Sequence, residues 1–163
     1  MRKLSLLLAA VMAVTAWGVE MSKSVPKGWC EDFEAAKTQA AQEGKFVLLA
    51  FSGSDWCHWC VKMEQEVFSQ PYFVQEASKK YVLVMADCPS DESILSPLAK
   101  KQNRVLARQF AVRGFPCTII LDAKGKELKR HSGYVRGGAK GGVAFLDELM
   151  KDVAWPQPVK AAK

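Results

Sequence analysis

The sequence predicts an α/β domain, a central mixed β-sheet flanked by helices, and three observations carry the prediction. Two short continuous apolar runs, Phe46–Phe51 and Tyr81–Ala86, suit strands buried on both faces. A helical pattern follows the first run from His58 onward, so strand, helix and strand come in order. Such a βαβ unit has parallel strands and a right-handed crossover. Finally, Asp122-Ala123-Lys124-Gly125 is a turn signal between two further strand-like runs, which adds an antiparallel hairpin.

The elements follow in order. Arg2 and Lys3 precede an apolar run from Leu4 to Ala16, too short to span a bilayer comfortably. Ala16-Trp17-Gly18 then sets small residues at the −3 and −1 positions of a cleavage site. Residues 1–18 therefore read as a secretory signal peptide, with an uncleaved anchor as the alternative. Residues 19–28 are polar with a proline and read as a linker. Trp29, Phe33, Ala36 and Ala40 recur at helical spacing, and Gly44 ends that helix. Phe46–Phe51 is the first strand. His58–Phe68 forms a helix, and a second starts near Pro71, capped by Ser69 or Gln70.

Tyr81–Ala86 is the next strand, and residues 87–97 form a loop. Ser96-Pro97 opens a helix running to about Phe110. Val112–Leu121 and Lys126–Tyr134 make the hairpin. Gly137-Gly138 and Gly141-Gly142 read as a flexible joint before a final amphipathic helix, 142–153. The domain spans 29–154, and 155–163 is a flexible tail.

The 163 residues are enough to bury one core, and 49% hydrophobic with 25% charged residues fits a soluble globular protein. Loss of residues 1–18 takes Lys+Arg from 23 to 21 against 17 acids, so the net charge of +6 falls to +4. The lysines are scattered, as on solvated faces, and no nucleic-acid stripe emerges. Export to the periplasm, or otherwise out of the cytoplasm, places the five cysteines where disulfides persist. After signal cleavage no stable membrane insertion is expected.

The chemistry centres on Trp56-Cys57-His58-Trp59-Cys60. Cysteines three apart at a helix start bring both sulfurs to one face, close enough for a local disulfide. The first sulfur lies in the field of unsatisfied backbone N–H groups, which favours thiolate, the species that attacks disulfides. Cys57 is then the nucleophile, and the deeper Cys60 resolves the mixed disulfide. His58 and Trp56 are candidate tuning residues: a nearby imidazole favours thiolate, and the indole offers an apolar contact to a bound polypeptide. A structural zinc site needs four ligands, and no second C-x-x-C or H-x₃₋₅-H exists, so no metal site is assigned. A soft thiolate pair binding Cu(I), or a peptide-binding module without turnover, is the alternative function.

A second motif lies about 55 residues on: Val112-Arg113-Gly114-Phe115-Pro116, followed by a strand and the Asp-Ala-Lys-Gly hairpin. With both motifs in hand, residues Trp29 to Val153 resemble the thioredoxin superfamily. Phe51-Ser52-Gly53-Ser54-Asp55-Trp56-Cys57 and Glu66-Val67-Phe68-Ser69-Gln70-Pro71 are similar to a subgroup of exported bacterial thioredoxin-like proteins. That subgroup resembles the periplasmic C-terminal domain of the transmembrane thiol:disulfide interchange protein. The resemblance implies a thioredoxin fold and a thiol–disulfide oxidoreductase of reductase or isomerase type. Its cofactor would be nothing beyond the redox-active Cys57–Cys60 disulfide. Its partners would be protein disulfide substrates and an unidentified redox partner protein, met by a monomer. Pro116 would be a cis-proline facing the pair, and Phe115 would offer its backbone to an extended substrate strand.

The chain departs from the thioredoxin pattern in two ways. The buried acid expected on the central strand is missing from Leu49-Ala50-Phe51-Ser52, while Asp55 and Glu64 lie nearby but out of position. The dipeptide between the cysteines is His-Trp and not Gly-Pro. Cys117 reads as a small buried strand residue, and a structural Cys30–Cys88 disulfide is a further expectation.

Overall fold

The computed structural model describes residues 21–158, so the expected signal peptide and the last five residues lie outside the described region. Helix α1 spans Phe33–Glu43 and strand β1 Phe46–Ser52. Helix α2, His58–Met63, passes into a π-helical turn, Glu64–Phe68. Helix α3 (Pro71–Ala77), strand β2 (Tyr81–Asp87) and a 3₁₀ turn (Glu92–Ile94) follow. Helix α4 (Pro97–Gln109), strands β3 (Cys117–Leu121) and β4 (Glu127–Ser132), and helix α5 (Gly138–Met150) complete the chain. The sheet order is β2-β1-β3-β4. Strand β1 runs parallel to β2 and antiparallel to β3, and β3 pairs antiparallel with β4. This is a mixed sheet flanked by helices, as the sequence predicts.

Every residue of β1, β2 and β3 is buried, and their alternate residues feed two cores. Leu48, Ala50, Leu83, Met85 and Ile120 face one side, packed by Met63, Val67, Phe73, Leu146 and Met150 from α2, its π-helical extension, α3 and α5. Val47, Leu49, Phe51, Val82, Val84, Ile119 and Leu121 face the other, against Phe33, Ala36 and Ala40 of α1 and Leu106 of α4. The continuous apolar runs arise because both faces are covered. Edge strand β4 is only partly buried, and its sequence Glu-Leu-Lys-Arg-His-Ser is correspondingly polar.

Several expectations are corrected. The first helix starts at Phe33, where Asp32 caps it by accepting from the Ala35 N–H at 2.9 Å. Trp29 packs in the opposite core, against Phe68 and Phe73, so its helical spacing to Phe33 is coincidental. Cys30 instead forms a parallel bridge with Val84, donating to the Leu83 C=O and accepting from the Met85 N–H, each at 2.9 Å. That bridge rules out the Cys30–Cys88 disulfide. Cys88 lies four residues beyond Val84, about 13 Å along an extended strand, well past the reach of a disulfide. Cys30, Cys88 and Cys117 are free thiols.

The glycine pairs are not a joint, because Gly138, Gly141 and Gly142 all lie in α5. A Cβ on Gly142 would sit 2.5 Å from Val67 Cγ1 and 3.0 Å from the Phe73 ring. The glycine lets α5 approach α3 and the π-helical turn closely. Residues 21–28 are docked and do not dangle: Ser22 and Pro26 are buried, and the Ser22 N–H and hydroxyl donate to the buried Glu31 carboxylate. The tail also docks in part, since Trp155 packs edge-on against Phe46 at 4.9 Å. Among the described residues no helix is long and apolar enough to cross a membrane.

Candidate active site

Strand register brings the two motifs together. Ser52 pairs with Asp87, so the C-terminal ends of the parallel strands β1 and β2 lie side by side. Phe51 pairs with Cys117, the first residue of antiparallel β3. The segment before β3, Phe115-Pro116, therefore reaches the same end of the sheet as the loop leading to Cys57. The Phe115–Pro116 peptide is cis.

Cys57 is the N-cap of α2, with extended backbone and its sulfur accepting from the Cys60 N–H at 3.2 Å. Its sulfur thus meets one of the amides that a helix start leaves unpaired. Cys57 and Cys60 are joined as a disulfide with 5.2 Å between their Cα atoms. Cys57 is 8% exposed and Cys60 2%, so the first cysteine is the less buried of the two.

The loop before Cys57 is clamped from the side by the last residue of β2 and those that follow it. The Ser54 N–H and hydroxyl donate to the two Asp87 carboxylate oxygens, at 2.9 and 2.5 Å. The Asp55 carboxylate accepts from the Ser90 and Asp91 amides, each at 2.8 Å. The Trp56 indole N–H donates to the Cys88 carbonyl at 2.9 Å. Three consecutive residues are thus tied to one neighbouring segment, which fixes where the loop delivers Cys57. Gly53 is required here by close approach: a Cβ would lie 2.4 Å from the Trp56 ring.

The predicted residues Trp56 and His58 flank Cys57 in the chain, and Trp56 reaches Phe115. Trp56 is half-exposed and packs edge-on against Phe115 at 5.3 Å. His58 is exposed, its ring 5.5 Å from that of Trp59. Trp59 is also half-exposed, which places it on the surface and not in the core, beside Tyr134 at 5.6 Å. Among the described residues, the Phe115 backbone N–H and C=O make no hydrogen bond within the chain. Also among these residues, no group of three or more His, Cys, Asp or Glu side chains could hold a metal ion.

Two acids interact on the elements that carry and neighbour the pair. Glu64 lies one turn beyond Cys60, its backbone N–H donating to the Cys60 carbonyl. Partial burial, and then the charge of Asp87, push its carboxyl above the ordinary range. Asp87 is 1% exposed. The sequence expects Asp87 in a loop, but it is the last residue of β2. Its signal was a single acid closing an otherwise apolar strand. The three free thiols are held in the neutral form. Burial pushes Cys30 and Cys88 each to about 11, and it raises Cys117 as well.

Comparison with known proteins agrees with this geometry. The thioredoxin-like domain family matches residues 33–139. The chain belongs to the thioredoxin-like family. It is 33% identical over 122 residues to the disulfide bond reductase DsbH of Chlamydia pneumoniae, covering 74% of this chain and 72% of that protein. It is 28% identical over 134 residues to the thioredoxin-related protein DsbJ of the same organism, covering 80% of this chain but only 37% of DsbJ. A solved structure of a DsbH oxidoreductase superposes with a TM-score of 0.69 at 28% identity, covering 82% of this chain and 92% of that one. The thiol:disulfide interchange protein DsbD of Ralstonia nicotianae is 32% identical over 124 residues, and the chain spans 19% of its length. With its Cys57–Cys60 disulfide, this family member is a thiol–disulfide oxidoreductase.

Proposed function

We propose that the chain is an exported enzyme that reduces or isomerises disulfides in other proteins, with Cys57 attacking and Cys60 resolving. The observation that carries this reading is the asymmetry of the pair. Cys57 caps the helix and is the less buried of the two, while Cys60 lies one turn in and is almost wholly buried.

The reduced enzyme attacks with the Cys57 thiolate. A Cys57–substrate disulfide forms, the substrate S–S bond breaks, and one substrate thiol leaves with a proton from water. Cys60 then gives up its proton and attacks the Cys57 sulfur. The second substrate thiol leaves, and the Cys57–Cys60 disulfide carries away two electrons fewer than the dithiol held. The exchange needs no further cofactor, and a dithiol-bearing redox partner must return the enzyme to its reduced form. The free backbone of Phe115 supports pairing with an extended substrate segment next to the sulfurs. Trp56 supplies an apolar surface there, and His58 adds positive charge near the thiolate when protonated. The reductase direction draws support from the name of the DsbH relative.

Glu64 is suited to receive the Cys60 proton, standing where the thioredoxin pattern has no acid. Its carboxyl, raised by partial burial and by the charge of Asp87, holds its proton to higher pH than an ordinary carboxylate and becomes a base above that. Resolution by Cys60 should therefore speed up through an inflexion above the usual carboxylate range. Glu64→Gln should remove that inflexion and slow resolution about 10- to 100-fold, read by stopped-flow release of a peptide thiol. The same change should not destabilise the fold at neutral pH. A raised carboxyl pKa favours the native state below the unfolded value, and that preference is lost as pH rises through the folded value.

Trapping tests the reading as a whole. Cys60→Ser should accumulate a mixed disulfide with disulfide-bearing proteins in the export compartment, and wild type should not. If neither trapping nor acceleration of insulin reduction or scrambled-ribonuclease refolding is seen, the proposal fails. The potential of the pair against glutathione gives the direction: near −270 mV for a reductase, near −120 mV for an oxidase, on the scale of about these values in related folds.

A further inference from the structure

The surface around the disulfide carries a charge pattern that the exchange chemistry does not require. The edge-on pair Trp56 and Phe115 forms a ridge between two open grooves. One, of about 570 Å³, is lined by Trp59, Lys62, Phe115, Pro116, Tyr134 and Arg136. The other, of about 460 Å³, is lined by Trp56, Arg104, Arg108, Val112, Arg113 and Phe115 among others. Neither groove has a carboxylate in its lining.

The cations differ in how they are occupied. Lys62 lies 3.5 Å from Glu66, and Arg104 pairs with Glu92 at 2.8 Å. Among the described residues, Arg108, Arg113 and Arg136 have no ion-pair partner, and all three are exposed. The acids near the grooves are already engaged. Glu66 accepts from the Tyr134 hydroxyl, and Asp55 accepts from two backbone amides. The surface that remains open to a partner is aromatic in the middle and positive on both sides.

We infer that the enzyme selects extended polypeptide segments carrying Asp or Glu on either side of the target cysteine. The aromatic ridge meets the segment beside its cysteine, and the guanidinium groups in the two grooves meet the flanking carboxylates. Arginine suits this role because its fork engages a carboxylate with two N–H groups at once. Such pairs, exposed at a rim, act mainly on encounter and on rejection of wrongly charged partners. Segments rich in Lys or Arg would face up to five like charges and are disfavoured.

This inference rests on the exchange reading above, and the experiment separates the two. Peptides of about ten residues carry one cysteine, blocked as a mixed disulfide with thionitrobenzoate. The flanking residues are acidic, neutral or basic in three otherwise matched peptides. Reduced enzyme attacks the peptide sulfur, thionitrobenzoate leaves and is followed by its colour. Each rate is divided by the rate with dithiothreitol, which removes the effect of charge on the peptide's own reactivity.

The expected order is acidic, neutral, basic, with an acidic-to-basic ratio of about tenfold or more at low salt. The ratio should fall toward one at about 0.5 M salt, where screening shortens to a few ångströms. It should also fall toward one in the triple variant Arg108→Gln, Arg113→Gln, Arg136→Gln. Rapid reaction with all three peptides at one rate, or preference for the basic one, overturns the charge inference and leaves the oxidoreductase standing. Rates no faster than those with free cysteine for every peptide overturn the exchange reading, and this inference with it.

Discussion

Cys57→Ser should abolish disulfide exchange, with a loss of at least about 10³-fold in insulin reduction, while reduced wild type and variant melt at nearly the same temperature. The reasoning is chemical. A serine hydroxyl in the same N-cap position still accepts from the Cys60 N–H, and serine is among the best N-cap residues. It is not a nucleophile toward a disulfide at neutral pH, so the helix survives and the reaction does not. Cys60 cannot take over, because it is almost wholly buried. Retained activity in Cys57→Ser would mean that another thiol attacks.

Asp87→Ala should lower stability by about 2–4 kcal/mol and the melting temperature by on the order of 10 °C. The Ser54 N–H and hydroxyl both lose their acceptor, and a donor left unpaired away from water costs about 1–3 kcal/mol. The consequence reaches the chemistry by two routes. The loop that delivers Cys57 loses one of its clamps, so turnover should drop even well below the melting temperature. Glu64 loses the neighbouring charge that helps to raise its carboxyl, so the inflexion in Cys60 resolution should move to lower pH. Asp87→Asn keeps one acceptor for Ser54 and should fall between wild type and alanine in stability. It should match alanine in the shift of the inflexion, since both remove the charge.

The elements legible in the sequence are those whose burial is written along the chain. Phe46–Phe51 and Tyr81–Ala86 are apolar throughout because both faces of the sheet are covered, and that pattern survives without knowledge of the partner strands. Pro71, Ser96-Pro97 and Gly44 mark helix ends by local chemistry, and the helices begin or stop there. Cys57 and Cys60 were legible for the same reason: their spacing carries their chemistry.

What was not legible depends on long-range placement. Trp29 sits four residues before Phe33, yet the two belong to opposite cores, a separation visible only once the sheet divides them. Cys30 and Cys88 both lie near β2 but four residues apart along it, a register that spacing in the sequence does not express. Gly142 looked like a hinge because a glycine required by close helix packing and one required by flexibility are spelled alike. Asp87 could not be tied to Ser54 from 33 residues away, since the link is made by the pairing of β1 with β2. Strand β1 carries no acid at Leu49-Ala50-Phe51-Ser52. The two acids that act on one another are Glu64, on the π-helical extension of the helix that carries Cys60, and Asp87, on the neighbouring strand.

The central claim is that Cys57, and no other cysteine, is held as a thiolate at the start of α2. The most direct test is alkylation of the fully reduced protein with a limiting amount of iodoacetamide across a pH series, the labelled residue being found by peptide mapping. Label should appear on Cys57 alone, with an apparent pKa well below the roughly 8.5 of a free cysteine. Cys30 and Cys88, held near 11 by burial, should stay unlabelled at neutral pH. Label on Cys60 first, or labelling of Cys57 only as pH passes about 8.5 or higher, would contradict the account.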